Sequence, residues 1–244
     1  FVTETIHIRA DGSVDPPTAP IQRDREIYSL TRHVIAYADG IQIERSDIVI
    51  DGAGCWLWGN GSGSGFSLDS LNNVTIKNIR IEDFYVGVYL DLSSLIVLLE
   101  NRIINNGGSG IMIENSDHIT LTGNAVTHNA LDFGPSRFAG IMLVNTTNSQ
   151  ITNNNVTGNA NGLYLYRSSD SIIFGNIMKN NQWQGSILLE WSSNNIISRN
   201  DVREGPSGIV VKGSSDNNII SENNVSNNMF HGIRLLDSSN NTLS

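Results

Sequence analysis

The chain repeats itself at an interval of about 22 residues, and no other feature narrows its fold so far. The stretch Gly162–Asn181, GLYLYRSSDSIIFGNIMKNN, shows the unit: a glycine, an apolar pair at alternate positions, a serine, a second apolar run, then an asparagine and a third run. Anchored on the small residue, the copies begin at Gly40, Gly65, Gly87, Gly110, Gly140, Gly162, Ser186, Gly208 and Gly232, with spacings of 25, 22, 23, 30, 22, 24, 22 and 24. A hydroxyl recurs 6 residues after most anchors, at Ser93, Ser116, Thr146, Ser168, Ser192, Ser214 and Ser238. An asparagine recurs 14 residues after the anchor, at Asn101, Asn124, Asn154, Asn176 and Asn200. The copy at Gly208 slips by one residue midway.

Within a copy the apolar residues alternate, as in Leu163 and Leu165 or Ile111 and Ile113, the signature of a strand with one buried face. Three such runs fill each copy and leave no room for a helix between them. A unit this short cannot bury its own apolar side, so copies must stack on one another. Three strands per turn, stacked in parallel about 4.8 Å apart, make a β-helix. Equivalent residues then form ladders, and the recurrent asparagines are expected to bond from coil to coil at a turn, in a structural role.

The pattern over residues 40–244 resembles the NosD-like, carbohydrate-binding-and-sugar-hydrolase type of repeat of the pectin-lyase-like superfamily. The opening stretch IRADGSVDPPTAPIQR and the turn IDGAGCWLWG add to the resemblance. It implies an all-β, right-handed parallel β-helix of about nine coils of 22–25 residues. Residues 1–39, outside the repeat and rich in proline between Asp11 and Pro20, are expected to cap the first coil, and residues 40–244 to form one elongated domain. The last copy stops at Ser244 within its second strand, so the terminal coil near Leu243 is expected to be open to end-to-end self-association or lattice assembly.

Composition closes other routes. Net charge is −9 and no basic stripe occurs, which argues against nucleic acid as partner. No run approaches a transmembrane span. The single cysteine, Cys55, allows no internal disulfide and reads as a packed residue. Six N-x-Ser/Thr triplets, at Asn60, Asn73, Asn145, Asn155, Asn224 and Asn240, would permit glycosylation in an exported chain. Extracellular or cell-surface location rests mainly on the resemblance.

The candidate sites lie on the outer side of the first strand of each copy. Positions two and four after each anchor are expected to face solvent. The plus-four row reads Glu44, Asp69, Asp91, Glu114, Val144, Tyr166, Glu190, Lys212 and Leu236. The plus-two row reads Gln42, Ser67, Tyr89, Met112, Met142, Tyr164, Leu188, Val210 and Arg234. Stacked carboxylates repel by about 1 kcal/mol per pair in water. Three readings stay open for them: splayed and screened side chains, a Ca²⁺ site at Asp69, Asp91 and Glu114, or a carboxyl of raised pKa able to act as an acid. Trp56 and Trp58 should point outward beside the inward Leu57. An insertion of about seven residues, Leu131–Phe138, should overhang one edge, where Phe84, Tyr85, Trp183, Phe230 and His231 also collect.

From these rows the candidate ligand-binding residues are Tyr89, Asp132, Arg137, Tyr164, Tyr166, Arg167, Trp183, Glu190 and Trp191, because aromatic faces stack on sugar rings while Arg and Glu bond hydroxyls or carboxylates. The leading expectation is a scaffold that binds polysaccharide or a cell-surface protein without catalysis. The alternative is a uronate lyase or epimerase using Tyr164, Arg167, Glu190 and Lys212. The hydrolase motif set (Asn-x-Asp, Asp-Asp, Gly-His-Gly, Arg-x-Lys) and the epimerase run Asp-Pro-His-Asp are absent. The resemblance raises copper, for which only Met112 and Met142 stack as donors, and His7, His33, His118, His128 and His231 lack ligand spacing.

Overall fold

In the computed structural model, which describes residues 4–131 and 138–244, the apolar runs pair in register into three long sheets. Sheet A collects the first strand of every copy, sheet B the second and sheet C the third, and among the described residues no α-helix interrupts them. The inward row of sheet A runs Ile41, Phe66, Val88, Ile111, Ile141, Leu163, Ile187 and Ile209, each directly above the last and each fully buried. Each such side chain contributes about 1.5–3 kcal/mol of burial, and the next coil supplies the cover.

The segment before Gly40 joins the solenoid. Strands β1 (Ile6–Ile8), β4 (Ile27–Leu30) and β5 (Val34–Ile35) enter sheets A, B and C as parallel rungs below the first repeat. The edges are covered by two antiparallel strands, β2 (Val14–Asp15) on β1 and β3 (Ile21–Asp24) on β4. An antiparallel strand ends a parallel stack because it cannot pass its register to a further coil. At the other end, Ile233, Leu235 and Leu243 of the last coil are exposed.

Asparagine ladders stitch the turns. Asn154 Oδ1 accepts from the backbone N–H of Asn124 at 2.9 Å and from its Nδ2 at 3.0 Å, while Asn154 Nδ2 donates to the Leu121 carbonyl at 2.9 Å. Asn101, Asn124, Asn176 and Asn200 repeat the arrangement, and Asn223 extends it. A second ladder at the turn from sheet C to sheet A, Asn106, Asn129, Asn159 and Asn181, escaped the sequence reading. The hydroxyl row corrects one expectation: Ser215, and not Ser214, takes the bond from Ser192 N, at 2.9 Å. Two left-handed residues, Gly213 (φ +65°) and Ser214 (φ +57°), stand between the strand and the hydroxyl where other coils have one, and this shifts the row.

The anchor glycines follow from this second ladder. A Cβ on Gly110 would stand 2.7 Å from the Gly140 carbonyl and 2.9 Å from Asn129 Nδ2, and one on Gly162 would meet Asn181 Nδ2 at 2.8 Å. Ser186 occupies an anchor position because Gly205 stands where the ladder asparagine would be. A Cβ on Gly205 would lie 3.1 Å from Ser186 Oγ, which is buried without a hydrogen-bond partner.

Two outcomes test these ladders by urea denaturation. Asn154→Ala leaves the buried Asn124 N–H and Leu121 carbonyl unpaired and should cost about 3 kcal/mol, against under about 0.5 kcal/mol for Asn155→Ala on the surface. Gly205→Asn alone should destabilise by about 1–3 kcal/mol, and Ser186→Gly in the same chain should recover that loss.

Candidate functional site

The outer rows of sheet A stack in the expected register, Asp69 on Asp91 on Glu114 and Tyr166 on Glu190 on Lys212. Their exposure differs from expectation. Met142, Tyr164, Leu188 and Val210 of the plus-two row are buried rather than solvated, and with Ala139 they form a second apolar cluster outside the sheet. Val144 and Tyr166 pack against it. Large apolar side chains stacked at coil spacing shield one another, and the segment before Ser186 folds over them. A Cβ on Gly185 would lie 3.3 Å from Val210 Cγ2, and Lys212 Nζ donates to Gln184 Oε1 at 3.2 Å.

Above this floor stands a polar and aromatic group. Tyr164 is only 2% exposed, and its hydroxyl donates to Glu190 Oε2. Lys212 Nζ reaches the same oxygen at 3.2 Å. Trp191 is 45% exposed and meets Tyr166 edge-on, with ring centroids 5.2 Å apart and planes at 87°. The Arg167 guanidinium lies 5.4 Å from the Tyr166 ring centre and 5.8 Å from that of Trp191. Arg167 and Trp191 share the left-handed turn position, φ 52° and 51°, that Asn115 and Asn145 hold in the two preceding coils. Asparagine adopts this conformation readily, whereas tryptophan is held there by its surroundings.

The structure therefore brings Tyr164, Tyr166, Arg167, Glu190, Trp191 and Lys212 together, in two layers. Glu190, Tyr164 and Lys212 form the support, and Tyr166, Trp191 and Arg167 the accessible platform. Burial leaves the Tyr164 ring no face for a sugar and its hydroxyl no open side for a substrate proton. Trp183 lies to one side, lining a cleft of about 530 Å³ with Gln184, Phe230, His231 and Arg234 that shares Lys212 with the support. Tyr89 stands three rungs from Tyr164, about 14 Å along the axis. Asp132 and Arg137 lie outside the described residues. Phe84, expected to overhang the edge, is fully buried beneath Gly59 and Gly65.

The stacked carboxylates each take a neutral donor. Ser70 Oγ donates to Asp69 at 2.8 Å, Asn115 Nδ2 to Asp91 at 2.9 Å and Tyr89 Oη to Glu114 at 2.7 Å. Among the described residues, no group of three or more His, Cys, Asp or Glu side chains is placed to hold a metal ion. Asp69, Asp91 and Glu114 thus stack without converging on one point. Burial first, then the hydrogen bond to Glu114 and its charge, push the Tyr89 phenol well above its ordinary value of 10.0.

Near the first repeat, Trp56 and Trp58 point outward as expected. Trp56 stacks on His33 at 5.1 Å and under the Arg80 guanidinium at 4.9 Å. Trp58 Nε1 donates to Asp83 Oδ2 at 2.5 Å. Cys55 packs against the core, and burial raises its thiol pKa. The six sequon asparagines are all exposed, and the amide nitrogens of Asn60, Asn73, Asn145 and Asn224 already donate within the protein.

Comparison with known proteins agrees with this architecture. Residues 137–244 match the family model described as periplasmic copper-binding protein (NosD), and residues 23–135 that of the right handed beta helix region. A mutant of the periplasmic alginate epimerase AlgG superposes over 97% of this chain and 67% of its own, with TM-score 0.69 and 16% identity. DFA-IIIase from Arthrobacter chlorophenolicus A6, in complex with GF2, superposes over 91% of this chain and 65% of its own, with TM-score 0.64 and 14% identity. At such identities the likeness is one of fold. A 54-residue stretch is 41% identical to 3-dehydroshikimate dehydratase of Acinetobacter baylyi, spanning 22% of this chain and 11% of that protein. The donor set here does not fit copper: Met112 and Met142 are neighbours in sheet A, but Met142 is buried in the apolar cluster and no histidine or cysteine group joins them among the described residues.

The Tyr89 phenol supplies a pH test. Its acid form is favoured in the folded state, so this stabilisation is complete below pH 10 and is lost as pH rises through the higher folded-state value. Tyr89→Phe should remove one strongly alkaline phenol from a native absorbance titration and flatten the fall in stability above pH 10.

Proposed function

We propose that this NosD-like right-handed β-helix is an exported, non-catalytic protein that binds saccharide on the outer face of sheet A, with Trp191, Tyr166 and Arg167 as the contact surface. The observation that carries the reading is Trp191. A large indole, 45% exposed, is held in an αL backbone conformation that tryptophan disfavours, braced edge-on by Tyr166 and flanked by a guanidinium. Such a surface offers a ring to the C–H face of a pyranose and fixed donors to its oxygens. Arg167 and Lys212 suit a carboxylated sugar in particular. The fold is one that AlgG, an alginate epimerase, and DFA-IIIase also use, which supports saccharide as ligand class.

Catalysis of the lyase or epimerase kind would require Tyr164 or Glu190 to reach a sugar proton. Both are committed to each other, and Tyr164 is sealed beneath the platform. Calorimetry against oligomannuronate and oligogalacturonate hexamers should show binding that Trp191→Ala and Arg167→Ala each weaken about tenfold or more, with Tyr164→Phe retaining it. No unsaturated-uronate absorbance should develop. Undiminished binding in Trp191→Ala, or product formation by the wild-type chain, would overturn the reading.

A further inference from the structure

A second aromatic cleft lies at the opposite end of the rod. It has a volume of about 700 Å³ and opens where sheet C passes to sheet A beside the first repeats. Trp58 and Tyr85 line it, 42% and 37% exposed, over a floor of Phe84 and glycine backbone. The floor is low for a steric reason: a Cβ on Gly59 would meet the Asp83 carbonyl at 2.4 Å. The rings are set in place before any ligand arrives. The Trp58 indole N–H is tied to Asp83 Oδ2 at 2.5 Å, and Tyr85 is braced edge-on by Phe138 at 5.7 Å and 84°.

We infer that this cleft binds neutral saccharide, one or two pyranose units stacked between Trp58 and Tyr85 with hydroxyls bonded by Asp83 and Asn105. Three features carry the assignment. The volume falls within the range of about 300–1,000 Å³ usual for small-molecule sites. Asp83 forms no ion pair with any described residue, so one carboxylate oxygen is oriented by the indole and the other is open to hydroxyl donors. None of the described lining residues is cationic and the chain carries a net charge of −9, which disfavours anionic sugars here. The cleft shares no residue with the Trp191 platform, and its lining lies three to six rungs from the platform residues, about 14–29 Å along the axis. It therefore stands or falls independently of the acidic-saccharide reading at that platform.

Titration of the intact chain with cellohexaose, mannohexaose and the two uronate hexamers separates the sites. Binding of at least one neutral hexamer should weaken about tenfold or more in Trp58→Ala and in Asp83→Asn, and recover in Trp58→Phe, which restores a ring. Trp191→Ala should leave that binding unchanged. Unaltered far-UV circular dichroism and melting temperature in the variants confirm that the exposed changes leave the fold intact. The inference is overturned if neither neutral hexamer binds at millimolar concentration, if binding survives Trp58→Ala, if Trp191→Ala abolishes it, or if only the uronates depend on Trp58.

Discussion

Every coil of this protein lies on another copy of the same backbone, and at the anchor glycine the coils approach too closely for a side chain. There the carbonyl of the next coil and the amide of a turn asparagine occupy the space a Cβ would need. The glycine and the asparagine are two halves of one contact. The asparagine satisfies backbone groups that a turn buried between coils would otherwise leave unpaired, and the glycine makes room for it. Where the pair is exchanged for Ser186 and Gly205, volume is kept but a hydroxyl is stranded. The exchange within a single chain shows that volume at this junction, more than residue identity, is what the stack demands.

This division of labour leaves the outer rows free. Inward positions must be aliphatic and turn positions must bond along the stack, so chemistry can vary only outside the sheets. On the outer face of sheet A the plus-four row passes from carboxylates at Asp69, Asp91 and Glu114 to the cation Lys212. Like charges stacked this closely would weaken the sheet were they unscreened. A separate hydroxyl, amide or phenol for each carboxylate offsets part of that repulsion. The same device recurs at Glu190, where Tyr164 and Lys212 both bond one oxygen.

Period and register were legible from the sequence because a solenoid writes its contacts at a fixed interval. The ladder Asn101 to Asn200 and the pairing of Tyr166 with Glu190 follow from counting alone. What counting cannot show is the path of the turns. One residue is inserted at the Gly213–Ser214 pair and moves the hydroxyl row to Ser215, a shift visible only when the bond from Ser192 is traced. Alternation placed Tyr164 outward, and it is outward of the sheet, but the segment around Gln184 and Gly185 returns over it. Phe84 fails for the same reason: it replaces a ladder asparagine and turns inside. The segment before Gly40 lacks the repeat's spacing yet adds a rung to each sheet, because a strand needs only the alternation and a free edge.

The accessible aromatics divide by the turn that carries them. Trp191 and Arg167 each directly follow a strand of sheet A, at the first left-handed residue of the connection to sheet B, and their side chains are exposed there. Trp58 and Tyr85 flank connections from sheet C to sheet A, where Gly59, Gly61 and Gly107 leave a recess instead of a ridge. A ridge presents one ring face and depends on neighbouring charge for grip, and Arg167 provides it. A recess surrounds its occupant and can rely on ring contact and a lone carboxylate. The chemistry at the two places differs because large side chains fill one turn while glycines line the other.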